Sequence, residues 1–235
     1  MSLEVSRIKS NIPKIIGGVL VLILLGCILR VAIWENNYYN EMEGRARAKA
    51  TNNVITTTEV DETDVTDNEK MEYTVAADMP RYLSIEKLGV TNARVLPIGV
   101  TSTNELDTPN NIFDVGWYIN SAAPGTGGVS VIDGHNGGPT KVGVFKRLPS
   151  LVKGDKIVIE MGNGTKYEYE VYDNVSVPLD EADGQMYKME QTPIAGRESI
   201  SLITCTGEWS QVQQTYLSRQ FLRAVRTQAD GGPKA

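Results

Sequence analysis

The chain has 235 residues, of which 41% are hydrophobic and 22% are charged. These values are ordinary for a globular protein and argue against a collagen-like, coiled-coil or fully disordered chain. The 23 Lys+Arg and 29 Asp+Glu give a formal net charge of −6. No basic stretch is interleaved with aromatic residues, so we expect no nucleic-acid partner. Two cysteines and one histidine are too few for a disulfide framework or a four-ligand zinc site.

The N-terminal region contains a long apolar run. Every residue from 15 to 29 is apolar or glycine, and after Arg30 the run continues to Trp34. About 20 residues in a helix span the hydrocarbon core of a bilayer, with a terminal arginine reaching the headgroups and a tryptophan in the interface. We therefore predict a transmembrane helix over residues 15–34, in contact with the lipid bilayer, after a cytoplasmic segment of residues 1–14.

Basic residues just before this helix indicate its orientation. Arg7, Lys9 and Lys14 precede the apolar run, which favours a cytoplasmic N-terminus and an extracellular location for the rest of the chain. The alternative is a cleaved signal peptide with the same basic end. It is less favoured because the apolar run is long and no small-residue cleavage site comes after Trp34.

Residues 35–79 differ in composition from the C-terminal part of the chain. Between Glu59 and Glu72 there are seven acidic residues and one lysine, without an apolar periodicity that would bury one face. We interpret residues 35–79 as an extracellular stalk; the alternative is a second small domain.

Residues 80–226 have the pattern of an all-β domain. Nine of the ten prolines and 18 of the 22 glycines lie beyond residue 79, between short β-branched or aromatic runs. The predicted strands are residues 82–85, 93–96, 128–132, 156–160, 166–172, 199–203 and 219–225. The Gly-Asn-Gly sequence at 162–164 indicates a hairpin turn, and a helical turn is expected near 144–148. Many short strands without long helices predict a closed antiparallel β-barrel with short helices. Residues 227–235 are expected to form a polar tail.

One thiol and one imidazole are available to this domain. Cys205 is its only cysteine and His135 is the only histidine of the chain, so thiol–imidazole chemistry would have to use this pair. His135 lies in a glycine-rich turn that follows a predicted strand, and Cys205 ends another; strand ends on a rigid sheet are common positions for catalytic groups. The alternatives are a buried structural thiol and a histidine in a surface turn.

The sequence around this pair resembles the signature of the sortase family. Residues 201–205, Ser-Leu-Ile-Thr-Cys, match the Thr-Leu-any-Thr-Cys motif, with Ser201 in place of the usual threonine. A Gly-His pair at 134–135 lies upstream, and Arg219 begins the last apolar strand. Gly-Trp-Tyr at 116–118, with Pro-Gly after it, is most similar to classes D, E and F. The resemblance extends over residues 80–226.

The resemblance implies a membrane-anchored cysteine transpeptidase on the outer face of a Gram-positive-type envelope, built on a sortase-like barrel of about eight strands. Such an enzyme cleaves a sorting motif such as Leu-Pro-any-Thr-Gly in surface proteins and forms a thioester acyl-enzyme. The acyl group then passes to an amine of a peptidoglycan precursor or a pilin. Neither the sorting motif nor the acceptor is evident from the sequence, and residues 206–218, expected to be a loop between Cys205 and Arg219, indicate no substrate preference.

Thioester chemistry suggests a role for each candidate. Cys205 is the nucleophile, and His135 gives a proton to the leaving amine and takes one from the incoming amine. Arg219, always charged, suits stabilisation of the oxyanion or binding of the substrate backbone. Thr204 is a candidate for oxyanion support through its hydroxyl or amide, or is only a strand residue.

Three other residues compete for roles. Arg223 shares a strand face with Arg219, whereas Arg226 lies at the end of the domain and is expected to be solvated. Asp133 is a candidate to orient His135 as in a triad, but the capping of a turn is the favoured interpretation.

No cofactor is expected. A Ca²⁺ site lacks the spacing of an EF-hand, and solvated loops explain better the acidic residues Glu105, Asp107, Asp114, Asp180, Glu181 and Asp183.

Two other functions are alternatives, of which the first would use the same three residues and the second would leave them unused. A cysteine peptidase would pass the acyl group to water, and a non-catalytic membrane-tethered β-domain would only bind a surface partner.

Overall fold

The structure is a computed structural model that describes Arg30 and residues 60–102 and 105–227. The predicted segment at 1–14 and the first part of the stalk lie outside the described residues. So do the predicted transmembrane helix at 15–34, except for Arg30, and the predicted tail at 227–235, except for Thr227. Among the described residues, no helix has the length and hydropathy needed to cross a membrane.

Strands dominate the described part of the chain. They are β1 (Pro80–Ile85), β2 (Val90–Ile98), β3 (Val115–Tyr118), β4 (Val129–Gly134), β5 (Lys156–Met161), β6 (Lys166–Pro178), β7 (Ser199–Ser210) and β8 (Thr215–Arg226). Two α-helices are described, α1 (Asp67–Glu72) and α2 (Ala182–Met189). Short 3₁₀ turns lie at Glu86–Leu88, Leu148–Ser150 and Leu179–Glu181.

The strands close into a barrel in the order β1-β2-β3-β4-β7-β8-β6-β5, which confirms the predicted closed all-β barrel. The expectation of a wholly antiparallel barrel was wrong, because β2 pairs with β3 and β4 with β7 in parallel. A parallel pair needs a long connection between its strands. Between β4 and β7 this connection contains β5 and β6, so the spacing of turns along the sequence did not reveal it.

Apolar side chains from every strand fill the barrel. They include Leu83, Val95, Val115, Ile132, Ile157, Tyr169, Ile200 and Leu222. Burying one large apolar side chain contributes about 1.5–3 kcal/mol to stability, so this interior holds the ends of the strands in a defined arrangement.

A second apolar cluster lies on the outer face of three neighbouring strands. Val131 of β4, Ile203 of β7 and Phe221 of β8 pack with Ala182 and Met189 of α2. Side chains alternate between the two faces of a strand. The residue two positions further along each of these strands therefore lies on the same outward face.

β3 and both α-helices were missed by the sequence pattern. β3 has only four residues, and Gly116 in its middle pairs with Asp133 of β4 and Leu96 of β2. A Cβ atom at Gly116 would lie 2.6 Å from Cδ1 of Ile98, so the packing of Ile98 requires glycine there. α2 was also missed; it has only eight residues, of which two are buried.

The segment expected as a loop at 206–218 is instead the outer part of the β7–β8 hairpin. Trp209 pairs with Tyr216 in the ladder, and their rings meet edge to face at 5.2 Å. The β5–β6 hairpin was predicted correctly, and Gly164 adopts the positive φ of 83° that its turn requires.

Residues 60–79, within the predicted stalk, lie against the barrel through polar contacts. Helix α1 begins with a capping box formed by Thr66 and Glu69. The hydroxyl of Tyr73 donates to the carbonyl of Val95 at 2.6 Å. Contacts of this kind leave no hydrophobic periodicity in the sequence.

Glu198 connects three parts of the barrel. Its side chain, 7% exposed, pairs with Arg226 of β8 at 2.9 Å and accepts hydrogen bonds from Tyr169 of β6 and from the amides of Gly125 and Gly127. Burial favours a higher pKa for Glu198, but the hydrogen bonds from Tyr169 and Gly125 and the pairing with Arg226 together hold its pKa below the ordinary value.

Replacing Glu198 by glutamine is expected to lower the free energy of unfolding by roughly 1–3 kcal/mol, because one amide group cannot accept all four hydrogen bonds. The measurement is urea unfolding of wild type and variant. Glu160→Gln is the matched control; it removes a carboxylate whose partner, the Lys166 side chain, is 65% exposed, and is expected to cost less than about 1 kcal/mol.

The effect of Glu198 should depend on pH in a defined direction. Because its pKa is lowered by folding, its stabilisation is present above the ordinary value of 4.5 and is lost as pH falls through the folded pKa. The gap between wild type and Glu198→Gln should therefore narrow in acid. Equal losses in the Glu198 and Glu160 variants would contradict this assignment.

Candidate active site

The predicted catalytic residues belong to three neighbouring strands of the barrel: His135 directly follows β4, Cys205 lies within β7 and Arg219 lies within β8. β4 and β7 are parallel, with Asp133 opposite Ile203, and the same register continued by two residues brings His135 level with Cys205. β8 runs antiparallel to β7, with Arg219 directly opposite Cys205. Side chains of directly opposed residues lie on one face with Cβ atoms about 4.5–5.5 Å apart. The ladder therefore pairs Cys205 with Arg219, and the continued register predicts that His135, one residue beyond β4, lies on the other side of Cys205.

Thr204 fixes the alignment of the strands that carry His135 and Cys205. Its hydroxyl donates to the carbonyl of Gly134 at 2.7 Å, and its side chain is 2% exposed. As the neighbour of Cys205 in a strand, Thr204 points to the opposite face of β7. The hydroxyl proton of Thr204 is therefore already donated to the neighbouring strand. Oxyanion support by that hydroxyl would require this hydrogen bond to break.

The imidazole of His135 is oriented by a backbone carbonyl. Nε2 lies 2.7 Å from the carbonyl oxygen of Pro109. Because a carbonyl oxygen can only accept, Nε2 carries a proton, and in the neutral ring Nδ1 carries the lone pair. Burial lowers the pKa of His135, and the hydrogen bond to Pro109 opposes this shift in part. The neutral ring is therefore the main form at neutral pH.

Cys205 is a free, partly exposed thiol. Burial raises its pKa above the ordinary value; the charge of Arg219 lowers it in part and that of Asp133 raises it further. Together with the lowered pKa of His135, this makes the neutral thiol and neutral imidazole the dominant pair. The thiolate–imidazolium form is a minor species because burial disfavours charged groups.

The guanidinium of Arg219 is held at the base of the β7–β8 hairpin. It donates to the carbonyls of Tyr216 and Ser218 at 2.9 and 3.1 Å and to the hydroxyl of Thr215 at 3.1 Å. A guanidinium has five N–H donors in a rigid plane. Donors therefore remain available beside Cys205 while the others fix the orientation of the group.

The competing arginines are engaged elsewhere. Arg223 lies opposite Ser201 of β7 and forms a two-point ion pair with Asp173. Arg226 is bound to Glu198 at 2.9 Å. Of the three, Arg219 alone lies opposite the thiol.

Asp133 lies on the same strand face as His135 but does not form a triad with it. Its carboxylate accepts a hydrogen bond from the hydroxyl of Thr108 at 2.9 Å, whereas the His135 ring bonds to Pro109. The capping of the local turn, which the sequence favoured, is likewise not the contact observed. Burial raises the pKa of Asp133 to about 7, against the lowering effects of Thr108 and Arg219.

Over residues 60–102 and 105–227, no three His, Cys, Asp or Glu side chains are grouped so as to hold a metal ion. Asp114, one of the acidic residues considered for Ca²⁺, instead forms a two-point ion pair with Arg94 at 2.9 and 2.7 Å.

Comparison with known proteins identifies the family. The model of the sortase domain matches residues 83–227, which is more than half of the chain. The chain belongs to the sortase family. It thereby joins the cysteine transpeptidases, and the resemblance noted over residues 80–226 is confirmed at the level of the family.

Solved sortase structures resemble this sortase domain. A lid mutant of sortase C1 from Streptococcus agalactiae is 20% identical, with a TM-score of 0.48 over 72% of this chain and 79% of that chain. A lid mutant of sortase A from Corynebacterium diphtheriae is 28% identical, with a TM-score of 0.44 over 63% and 69%. Sortase C-1 from Actinomyces oris is 23% identical, with a TM-score of 0.47 over 80% and 98%. No curated protein matches the chain.

Sequence reasoning missed Thr108 and Pro109, which contact Asp133 and His135. Pro109 acts through its carbonyl oxygen, a group that every residue type carries. No residue-type signal was therefore available to predict it.

The environment of Cys205 predicts how its alkylation depends on pH. In wild type, the midpoint for reaction with iodoacetamide should lie above the ordinary cysteine value. Asp133→Asn should move this midpoint to lower pH, by on the order of one unit at most, because it removes a nearby negative charge that is present above about pH 7.

Mass spectrometry of the peptide that contains Cys205 separates its reaction from that of the second cysteine of the chain, Cys27. Asp155→Asn, at a carboxylate paired with Lys87, serves as the control and should leave the midpoint unchanged. An identical midpoint in wild type and Asp133→Asn would refute the electrostatic coupling between Asp133 and the thiol.

Proposed function

We propose that this sortase is a membrane-anchored transpeptidase that cleaves a C-terminal sorting motif of surface proteins and transfers the acyl group to an amine. The observation that carries the proposal is the strand register, which pairs Cys205 of β7 with Arg219 of β8 and, continued beyond β4, aligns His135 with Cys205, within a matched sortase domain.

The first half-reaction is the cleavage of a peptide bond. The Cys205 thiolate attacks the carbonyl carbon of the scissile bond, forming a carbon–sulfur bond and a tetrahedral oxyanion. When this intermediate collapses, the carbon–nitrogen bond breaks, and imidazolium His135 gives its proton to the leaving amine. The products are a thioester on Cys205, a neutral His135 and a free amine.

The second half-reaction is the transfer of the acyl group. The incoming amine attacks the thioester carbonyl, and neutral His135 takes the proton that the amine loses. Collapse then breaks the carbon–sulfur bond and restores the thiolate and the imidazolium. Since Nε2 is bonded to Pro109, Nδ1 is the nitrogen that exchanges protons with the substrate.

The active form is the minor thiolate–imidazolium pair. Between the lowered pKa of His135 and the raised pKa of Cys205, the fraction of this pair does not change with pH, because the thiol proton is transferred to the imidazole and the total number of protons stays the same. A catalytic site in which both groups are neutral at rest can therefore work through this constant minor fraction.

Arg219 supports the oxyanion in both half-reactions. Its position opposite Cys205 supports a role for its charged donors at the carbon that Cys205 attacks, since fixed donors at a developing negative charge are a major source of rate enhancement. Substrate backbone carbonyls nearby are a second target for the same group.

The proposed membrane anchor rests on the sequence, and the proposed substrate rests on the family. The apolar run at residues 15–34 supports a single-pass anchor with the domain outside the cell. A Leu-Pro-any-Thr-Gly-like motif is the proposed substrate, and a peptidoglycan precursor or a pilin lysine is the proposed acceptor.

Incubating the full chain in detergent with a labelled Leu-Pro-any-Thr-Gly peptide tests this proposal. Cleavage between Thr and Gly is expected, with the product shifting to the amide when triglycine or a lysine derivative is added. A product that is unaffected by the amine would favour the hydrolytic alternative.

Cys205→Ala should abolish cleavage without loss of folding; undiminished cleavage by this variant would refute the enzyme assignment.

Substitutions at Arg219 separate its role from that of the neighbouring arginine. Arg219→Ala should lower kcat/KM by about 100-fold or more, and Arg219→Lys should recover only part because lysine lacks the planar donors. Arg223→Ala, which removes the ion pair with Asp173, should affect stability more than kcat/KM. Equal kinetic losses at positions 219 and 223 would contradict the assignment.

A further inference from the structure

Four residues of the N-terminal segment, 61–64, lie between the two loops that flank His135. We name these residues the clasp. The first loop, residues 107–114, precedes β3, and the second, residues 136–143, comes directly after His135 in the chain. Every member of the clasp contacts one of these loops through hydrogen bonds or an ion pair.

The clasp is joined to the first loop as a short strand pair. The amide of Asp61 donates to the carbonyl of Asn110 at 2.9 Å, and the amide of Ile112 donates to the carbonyl of Asp61 at 3.0 Å. The side chain of Asn111, 8% exposed, donates to the Asp61 carboxylate at 3.1 Å and to the Thr63 carbonyl at 2.8 Å. Asn111 is thus a buried amide with both donors committed to the clasp.

This loop holds the imidazole ring. The carbonyl of Pro109, two residues before Asn111, accepts the proton of Nε2 of His135 at 2.7 Å. The side-chain oxygen of Asn111 accepts from the amide of Phe113 at 2.9 Å, which fixes the other side of the loop. The position of the ring therefore depends on the loop that the clasp holds.

The second loop holds the backbone of His135. The carbonyl of His135 accepts from the amide of Phe145 at 2.9 Å, and that of Asn136 accepts from Gly143 at 2.8 Å. Gly137 and Val142 then form a bridge. Residues 136–143 are consequently a small hairpin whose base is His135.

Glu62 caps the tip of this hairpin. Its carboxylate accepts from the amides of Thr140 and Lys141 at 2.8 and 2.7 Å and from the hydroxyl of Thr140 at 2.5 Å. These donors, first the Thr140 hydroxyl, hold the pKa of Glu62 below its ordinary value. A Cβ atom at Gly138 would collide with the Glu62 carboxylate, so this approach requires glycine.

We propose that Glu62 and Asn111 are positioning residues for His135: through the clasp they hold the imidazole in the Nε2–H tautomer that leaves Nδ1 for proton transfer. The importance of the tautomer rests on the proposed function. The two loops are held to the clasp by polar contacts, and a displacement of about 1 Å in a catalytic group is enough to cost about 100-fold in rate. The hydrogen bonds of the clasp to both loops prevent such a displacement of the imidazole.

The single histidine of the chain makes the test direct. The imidazole ¹⁵N resonances of the full chain in detergent micelles report the tautomer and the pKa of His135 without any substrate. Glu62→Ala and Asn111→Ala should each convert the Nε2–H signal into an average of the two tautomers and move the pKa of His135 towards its ordinary value of 6.5. In the peptide assay, kcat should fall about tenfold or more with KM nearly unchanged.

Conservative variants distinguish positioning from a general structural role. Glu62→Gln keeps one acceptor for the two amides and should recover most of the wild-type signal. Asn111→Asp loses both donors and should behave like Asn111→Ala. Gly138→Ala should resemble Glu62→Ala, although it changes no polar group.

Glu72→Ala, at an exposed carboxylate of the same N-terminal segment, is the matched control and should leave spectrum and kcat unchanged. Unaltered imidazole resonances in folded Glu62→Ala and Asn111→Ala would overturn the proposal, as would a loss of thermal stability without a change in the tautomer. Because the spectrum needs no substrate, its outcome is independent of whether the peptide is cleaved.

Discussion

The parallel pairing of β4 with β7 is the constraint on which the site depends. Parallel neighbours run in the same direction, and the register of β4 with β7, continued one residue beyond β4, aligns His135 with Cys205 in the middle of β7. The antiparallel partner of β7 then supplies Arg219 from its first half. Thr204 ties the two parallel strands together from the interior face. The barrel thus acts as a rigid support for three residues that are far apart in sequence.

Partial burial of Cys205 and His135 determines the electrostatics of the site. It raises the pKa of Cys205 and lowers that of His135, so both groups are neutral at rest. A neutral resting pair avoids the cost of keeping two charges out of water. Arg219 remains charged and partly offsets the effect of burial on the thiol. The arrangement therefore keeps its positive charge on a group that does not take part in proton transfer.

Two kinds of interaction stabilise different parts of this domain. Apolar packing within the barrel and under α2 fixes the strands, whereas polar contacts of residues 61–64 fix the loops around His135. Loops carry exposed backbone groups that apolar packing cannot satisfy. Charged and amide side chains such as Glu62 and Asn111 satisfy them, and this explains why an acidic segment can have a structural role.

The sequence by itself determined the all-β class, the hairpin at residues 162–164 and the thiol–imidazole pair, because short-range turn chemistry and a single Cys and His leave few choices. The signature at 201–205 and Arg219 added the family. Only the tertiary structure decided that β4 and β7 are parallel, that β3 is a strand, that the carbonyl of Pro109 bonds to His135, and that Asn111 holds the same loop to residues 61–64. These features depend on pairings between distant segments and on backbone groups, and neither leaves a local pattern of residue types.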